Sequence, residues 1–217
     1  MQRFRSWDGT ELAYRVAGSG LPLVCIPGGP GQAVEYLGDL GGLSGQRTLI
    51  LLDNRGTGAS QAPRDPVTYR VDRLAEDVEA LRGHLGLDRM DLLGHSASGG
   101  ICLLYAARCP DRLDHLVLVA PSLRVAGLPS DQGVDEVLAL RAHEPWYAGA
   151  VAALHAEAAS PPELERCAAV RELAALFGNA DLALLPGTGH FPWVDNPASF
   201  AAVVLEFLAR RPAPPGV

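Results

Sequence analysis

Four short, unbroken apolar runs, each closed by a loop of small or polar residues, set the strongest limit on how this chain can fold. They are "LPLVCI" before "PGGPG", "RTLILL" before "DNRGTGAS", "MDLL" before "GHSASGG" and "LDHLVLV" before "APS". A strand buried on one face alternates apolar and polar residues, whereas a strand buried on both faces reads as a continuous apolar run. Segments of helical period lie between the runs. In "VDRLAEDVEALRGHLGL" the residues Leu74, Val78, Leu81 and Leu85 share one face, and "ASGGICLLYAARCP" reads as a second helix. This alternation predicts an α/β fold, a mostly parallel sheet flanked by helices with right-handed crossovers. Ligands of such sheets sit beyond the carboxyl ends of the strands, which is where these loops fall.

The two ends of the chain add detail. "QRFRSW", a "DG" turn and "TELAYRVAG" read as a hairpin. "ADLALLPGTGHF" reads as a last strand leading into a histidine loop. "NPASFAAVVLEFLARR" reads as a helix capped by Asn196, with Pro197 in its first turn and Phe200, Val204, Phe207 and Leu208 facing inward. Residues 123–180 differ, because their five valines are isolated and they contain no Ile or Thr. Two helices and no strand are expected there. The expected organisation is residues 1–122 as the N-terminal part of the core and 123–162 as a reduced helical cap. Residues 163–217 would form the C-terminal part of the core, with "RRPAPPGV" as a frayed tail.

Charge and composition exclude several partners. A net charge of −7 disfavours nucleic acid and anionic membranes. No apolar run approaches the ~20 residues that span a bilayer. "MQRFRSWDGT" has no apolar leader region, so a cytoplasmic chain is expected. Cys25, Cys102, Cys109 and Cys167 show no metal-binding spacing and read as buried free thiols. The expectation is no metal, no cofactor, and a small-molecule or short-peptide substrate.

A serine hydroxyl needs a base to take its proton and donors to hold the oxyanion that follows. One solution places serine on a sharp strand-to-helix turn, with small residues two positions before and two after. Both Ser96 and Ser98 satisfy that spacing in "GHSASGG". The strand ends near residue 93, which centres the turn on Ser96 and puts Ser98 in the first helical turn. The alternative is a Ser/Gly-rich helix start that only caps the helix. "PGGPG" can supply a second oxyanion amide, making Gly29 and Ala97 the candidate donors. Of the six histidines, His190 alone follows the last run at the same sheet edge, and His95 is expected to point away across the turn.

These motifs together resemble the α/β-hydrolase superfamily, and within it the proline iminopeptidase-like branch. "PGGPG" is similar to an HGGPG loop, "LLDNRGTGAS" to a D-Q-R-G-x-G-x-S signature, "GHSASGG" to the nucleophile elbow, and "PGTGHFPWVDNP" to the histidine loop. "EPWY" is similar to cap regions of this branch and nominates Trp146 and Tyr147 as substrate-binding residues. The resemblance implies a Ser–His–Asp triad and hydrolysis of an amide or ester bond, including release of an N-terminal proline. Pro27 departs from the motif histidine, and Asn54 from the motif glutamine. Asp53 and Arg55 are expected to tie their loop into place rather than to touch substrate.

A larger departure concerns the triad acid. The resemblance implies a further strand and an Asp-bearing loop before the last helix and strand, and neither is recognisable. A block between about Glu157 and Val170 reads as removed. Asp131, Asp135, Glu144 and Glu157 are candidate stand-ins, each more readily a solvated helix face. Asp181 lies at the opposite sheet edge, and Asp195 is expected to cap the terminal helix. Losing one strand would shift the last strand by roughly 4.8 Å, more than a Ser–His hydrogen bond tolerates. Two other outcomes therefore stand beside a hydrolase. One is a non-hydrolytic member, serving as a binding scaffold or a cyclisation enzyme. The other is a homo-oligomer in which a second chain completes the sheet.

Overall fold

Alternating residues in "QRFR" and "ELAYRV" turn Phe4, Leu12 and Tyr14 inward, and β1 (Gln2–Arg5) and β2 (Glu11–Gly18) pair antiparallel as that pattern requires. The computed structural model describes residues 1–29, 31–122 and 171–210. The expected cap, with Trp146, Tyr147 and the four stand-in carboxylates, lies outside the described residues, as does Cys167.

The four apolar runs are strands: β3 (Leu21–Ile26), β4 (Arg47–Leu52), β5 (Met90–His95) and β6 (Leu113–Val119). They join the hairpin in a six-stranded sheet of order β1-β2-β4-β3-β5-β6. The β3–β4, β3–β5 and β5–β6 pairs are parallel. Their unbroken apolar character has its cause in burial on both sides. Val24 and Ile26 of β3 face one layer, packed with Val78 and Leu81 of α1 (Val71–His84) and Ile101 and Cys102 of α2 (Ser98–Arg108). Leu23 and Cys25 face the other layer, with Leu37 and Leu43. That layer is closed by Trp193 of α3 (Pro192–Asp195) and by Phe200, Val204 and Leu208 of α4 (Pro197–Leu208). Each fully buried leucine contributes about 2 kcal/mol by leaving water. Among the described residues, no helix is long and apolar enough to cross a membrane.

The loop after β4 is held as expected. Asp53 is fully buried and accepts hydrogen bonds from the amides of Val34 (2.9 Å) and Ala59 (3.0 Å). Arg55, also buried, forks onto Asp77 at 2.7 and 2.5 Å and reaches Asp8 at 2.8 Å. The loop is thereby pinned to α1 and to the first hairpin.

The last expected strand is a correction. Residues 181–185 lie outside every strand, and the sheet formed by the described residues ends at β6. Leu182 and Leu184 are exposed. The physical reason follows from the departure noted above. Among the described residues no strand follows β6, so this apolar run has no ladder there to join. Residues 171–175 are helical, in agreement with the helix read in "AAVRELAALF" for its described part.

Candidate active site

The register Ile26↔Gly94 between β3 and β5 sets the two glycine-bearing loops side by side at the carboxyl edge of the sheet. β5 ends at His95, α2 begins at Ser98, and Ser96 between them holds φ +54°. A non-glycine residue in the left-handed region is uncommon and marks a conformation held by its surroundings. Here the holding groups are backbone. The Ser96 amide donates to Val119 O (2.9 Å), while Ser96 O accepts from the amides of Gly99 (3.0 Å) and Ser122 (2.8 Å).

The need for small neighbours is steric. A Cβ on Gly94 would fall 2.5 Å from Cys102 Sγ, and one on Gly28 would fall 2.6 Å from Ser96 Cβ and 2.7 Å from His95 O. The two serines differ in exposure and bonding. Ser98 is buried and its hydroxyl donates to Pro27 O, tying α2 to the loop after β3. Ser96 is half-buried and faces the histidine loop.

His190 Nε2 lies 3.0 Å from Ser96 Oγ, so the hydroxyl can donate to the ring. The shift of one strand spacing anticipated from the sequence does not separate them. The segment before His190 has left the sheet, and its path is not bound to the spacing between strands. Pro186 and Gly187 turn it, with Thr188 N–H donating to Leu185 O at 3.3 Å.

Asp195 departs from its expected role. Asn196 caps α4, accepting from the Ser199 amide at 3.2 Å, while Asp195 Oδ2 accepts from the Gly189 amide at 2.7 Å. It braces the residue next to His190 instead. Asp181 is exposed and pairs with Arg210.

The ring of His95 makes contacts the sequence does not announce. It is buried, 4.6 Å centroid to centroid from the His190 ring. Nε2 is 2.9 Å from His190 O and Nδ1 is 2.8 Å from the Tyr36 hydroxyl, which also receives the Gly28 amide. Burial pushes its pKa down to about 4, against the hydrogen bond to the His190 backbone, which favours the protonated ring, while the charge of the His190 side chain adds a smaller push downward. Burial likewise raises Tyr36 above the usual phenol range, partly offset by the Gly28 amide. Both groups are therefore neutral at pH 7. Tyr36 was missed in the sequence, where its only signal is an apolar ring with a polar tip close to the glycine loop.

Gly29 is half-buried and Ala97 exposed at this same edge. Among the described residues, neither of their amides donates to a protein acceptor. The thiols of Cys25 and Cys102 are free, and burial pushes both above the ordinary thiol range, so they stay protonated. Cys109 is free and only partly buried.

Comparisons with known proteins agree with this architecture. The sequence model of the family described as "alpha/beta hydrolase fold" matches residues 22–166. A proline iminopeptidase from Heyndrickxia coagulans is 32% identical over 115 residues, covering 53% of this chain and 40% of that protein. A soluble epoxide hydrolase from a Corynebacterium species is 34% identical over 122 residues, covering 55% of this chain and 42% of that protein. The chain thus spans less than half the length of these curated relatives. Among solved structures, an esterase (EaEST) from Exiguobacterium antarcticum superposes with a TM-score of 0.73 at 19% identity, covering 96% of this chain and 99% of that one. At that identity the likeness shows the fold alone.

Proposed function

We propose that this chain, which belongs to the α/β hydrolase fold family, is a serine hydrolase that cleaves an ester or an amide, the latter of the N-terminal proline type. The observation that carries the reading is the 3.0 Å approach of His190 Nε2 to Ser96 Oγ on a turn where Ser96 is held at φ +54°. His190 Nε2 takes the hydroxyl proton as Ser96 Oγ bonds to the substrate carbonyl carbon. The amides of Gly29 and Ala97 hold the oxyanion. The proton then passes to the departing alcohol or amine, leaving an acyl-serine. Water, deprotonated by His190, releases the acid and restores the hydroxyl.

The nucleophile favours acyl transfer over the epoxide opening in the name of one relative. A serine oxygen that opens an epoxide forms an ether, which water does not cleave, whereas an acyl-serine ester is hydrolysed. The N-terminal proline preference is supported by the similarity to proline iminopeptidases, together with the motifs in "PGGPG" and "LLDNRGTGAS".

The test is turnover of prolyl and alanyl arylamides and of short-chain aryl esters by the purified chain. The expected result is hydrolysis of at least one class that disappears in Ser96→Ala. Folded protein that turns over none of them, or a Ser96→Ala variant that keeps its rate, overturns the reading.

A further inference from the structure

The two loops that serve the candidate nucleophile are joined behind it by a directed chain of hydrogen bonds. A carbonyl oxygen only accepts, so the 2.9 Å contact between His95 Nε2 and His190 O requires a proton on Nε2. Neutral imidazole then has a bare Nδ1, which accepts the Tyr36 O–H at 2.8 Å. The same phenol oxygen accepts the Gly28 N–H. The order is Gly28 N–H to Tyr36, Tyr36 O–H to His95 Nδ1, and His95 Nε2–H to the main chain of His190. Every donor has one acceptor, and the direction is fixed at both ends. The rings of Phe191 and Trp193 lie 5.5 and 4.8 Å from that of His95, enclosing the chain in apolar surroundings. A hydrogen bond there is shielded from competing water and holds its geometry well.

From this geometry we infer that Tyr36 and His95 are positioning residues, which set the oxyanion loop at Gly28–Gly29 against the base loop at His190 through one side-chain relay. The inference rests on the serine hydrolase reading for its catalytic consequence, but the relay itself is a statement about hydrogen bonds. Its two ends are the residue before one oxyanion donor and the backbone of the base. Both loops lie outside the sheet ladder, and a shift of either misaligns the base or the oxyanion donor. Misplacement on the scale of 1 Å costs up to ~100-fold in rate.

Three variants test it on the full chain. Tyr36→Phe removes one hydroxyl and breaks both of its bonds. His95→Phe keeps the ring and removes both nitrogens. His95→Gln spaces its amide N–H and C=O much as Nε2 and Nδ1 are spaced, and can keep the relay. Ring nitrogen-15 shifts of His95 at pH 7 should report a protonated Nε2 and a bare Nδ1 in wild type, independent of any activity. The expected kinetic result is a kcat lowered about tenfold or more in Tyr36→Phe and His95→Phe, with KM little changed and the fold retained. His95→Gln should recover most of the rate. The opposite tautomer at His95, or unchanged kcat in both relay-breaking variants of an active enzyme, overturns the relay. Absence of activity in wild type contradicts the hydrolase reading instead, and leaves the tautomer measurement to decide the relay.

Discussion

Ser96 and His190 stand 3.0 Å apart, yet they are carried there by different means. Ser96 is placed by backbone, in a turn closed by main-chain hydrogen bonds and walled by glycines whose Cβ positions are already occupied. His190 is placed by side chains. Asp195 holds the amide before it, His95 holds its carbonyl, and Phe191 packs against its ring and, with Trp193, against Tyr36. A placement made by backbone tolerates few substitutions and fails abruptly. A placement made by side chains divides its work among several residues and should fail in steps.

The largest effect expected on either side is loss of the proposed base. His190→Ala should lower kcat by ~10²–10⁴-fold with the melting temperature nearly unchanged, read from turnover beside a thermal melt. Next is a single methyl on the backbone side. Gly28→Ala puts Cβ 2.7 Å from His95 O and 2.6 Å from Ser96 Cβ. It should cost about 2 kcal/mol of stability and about 100-fold in rate. A Gly28→Ala protein with wild-type melting and kinetics would remove the contrast between the two halves.

A smaller effect separates them by pH. His95 has a folded pKa of about 4 against an ordinary value of 6.5, so the unfolded chain binds the extra proton first. Its contribution is therefore complete above pH 6.5 and falls away as pH drops towards 4. On the order of 2 kcal/mol is at stake. The groups facing the ring are Tyr36, His190, Phe191 and Trp193. Denaturant unfolding from pH 7 to 4 should show a shallower loss of stability for His95→Gln than for wild type. Equal slopes would contradict the buried neutral ring. The smallest effect belongs to one brace among several. Asp195→Ala frees the Gly189 amide, and loss of that bond alone should lower kcat about five- to tenfold.

The same division explains what could be read in the sequence. Strands β3 to β6 were legible because burial on both faces leaves a continuous apolar run. The elbow was legible because its steric rule is local, confined to Gly94, Ser96 and Ser98. "ADLALL" misled because a short apolar run specifies a strand only if a neighbour is present to pair with it, and Leu182 and Leu184 are exposed instead. Tyr36 and His95 were not legible as partners. They are 59 residues apart, and His95 and His190 are 95 apart, with no period that links them. Asp195 was assigned to the helix it precedes, since nothing in "HFPWVDNP" shows that the chain curls back to Gly189.

The central claim is that Ser96 is a hydroxyl activated by His190. Labelling of the whole protein with a fluorophosphonate, followed by mass mapping of the modified peptide, tests it most directly. The account predicts prompt, stoichiometric modification at Ser96, slowed in His190→Ala and abolished in Ser96→Ala. A well-folded wild-type protein that resists the probe, or modification that survives in Ser96→Ala, would contradict it.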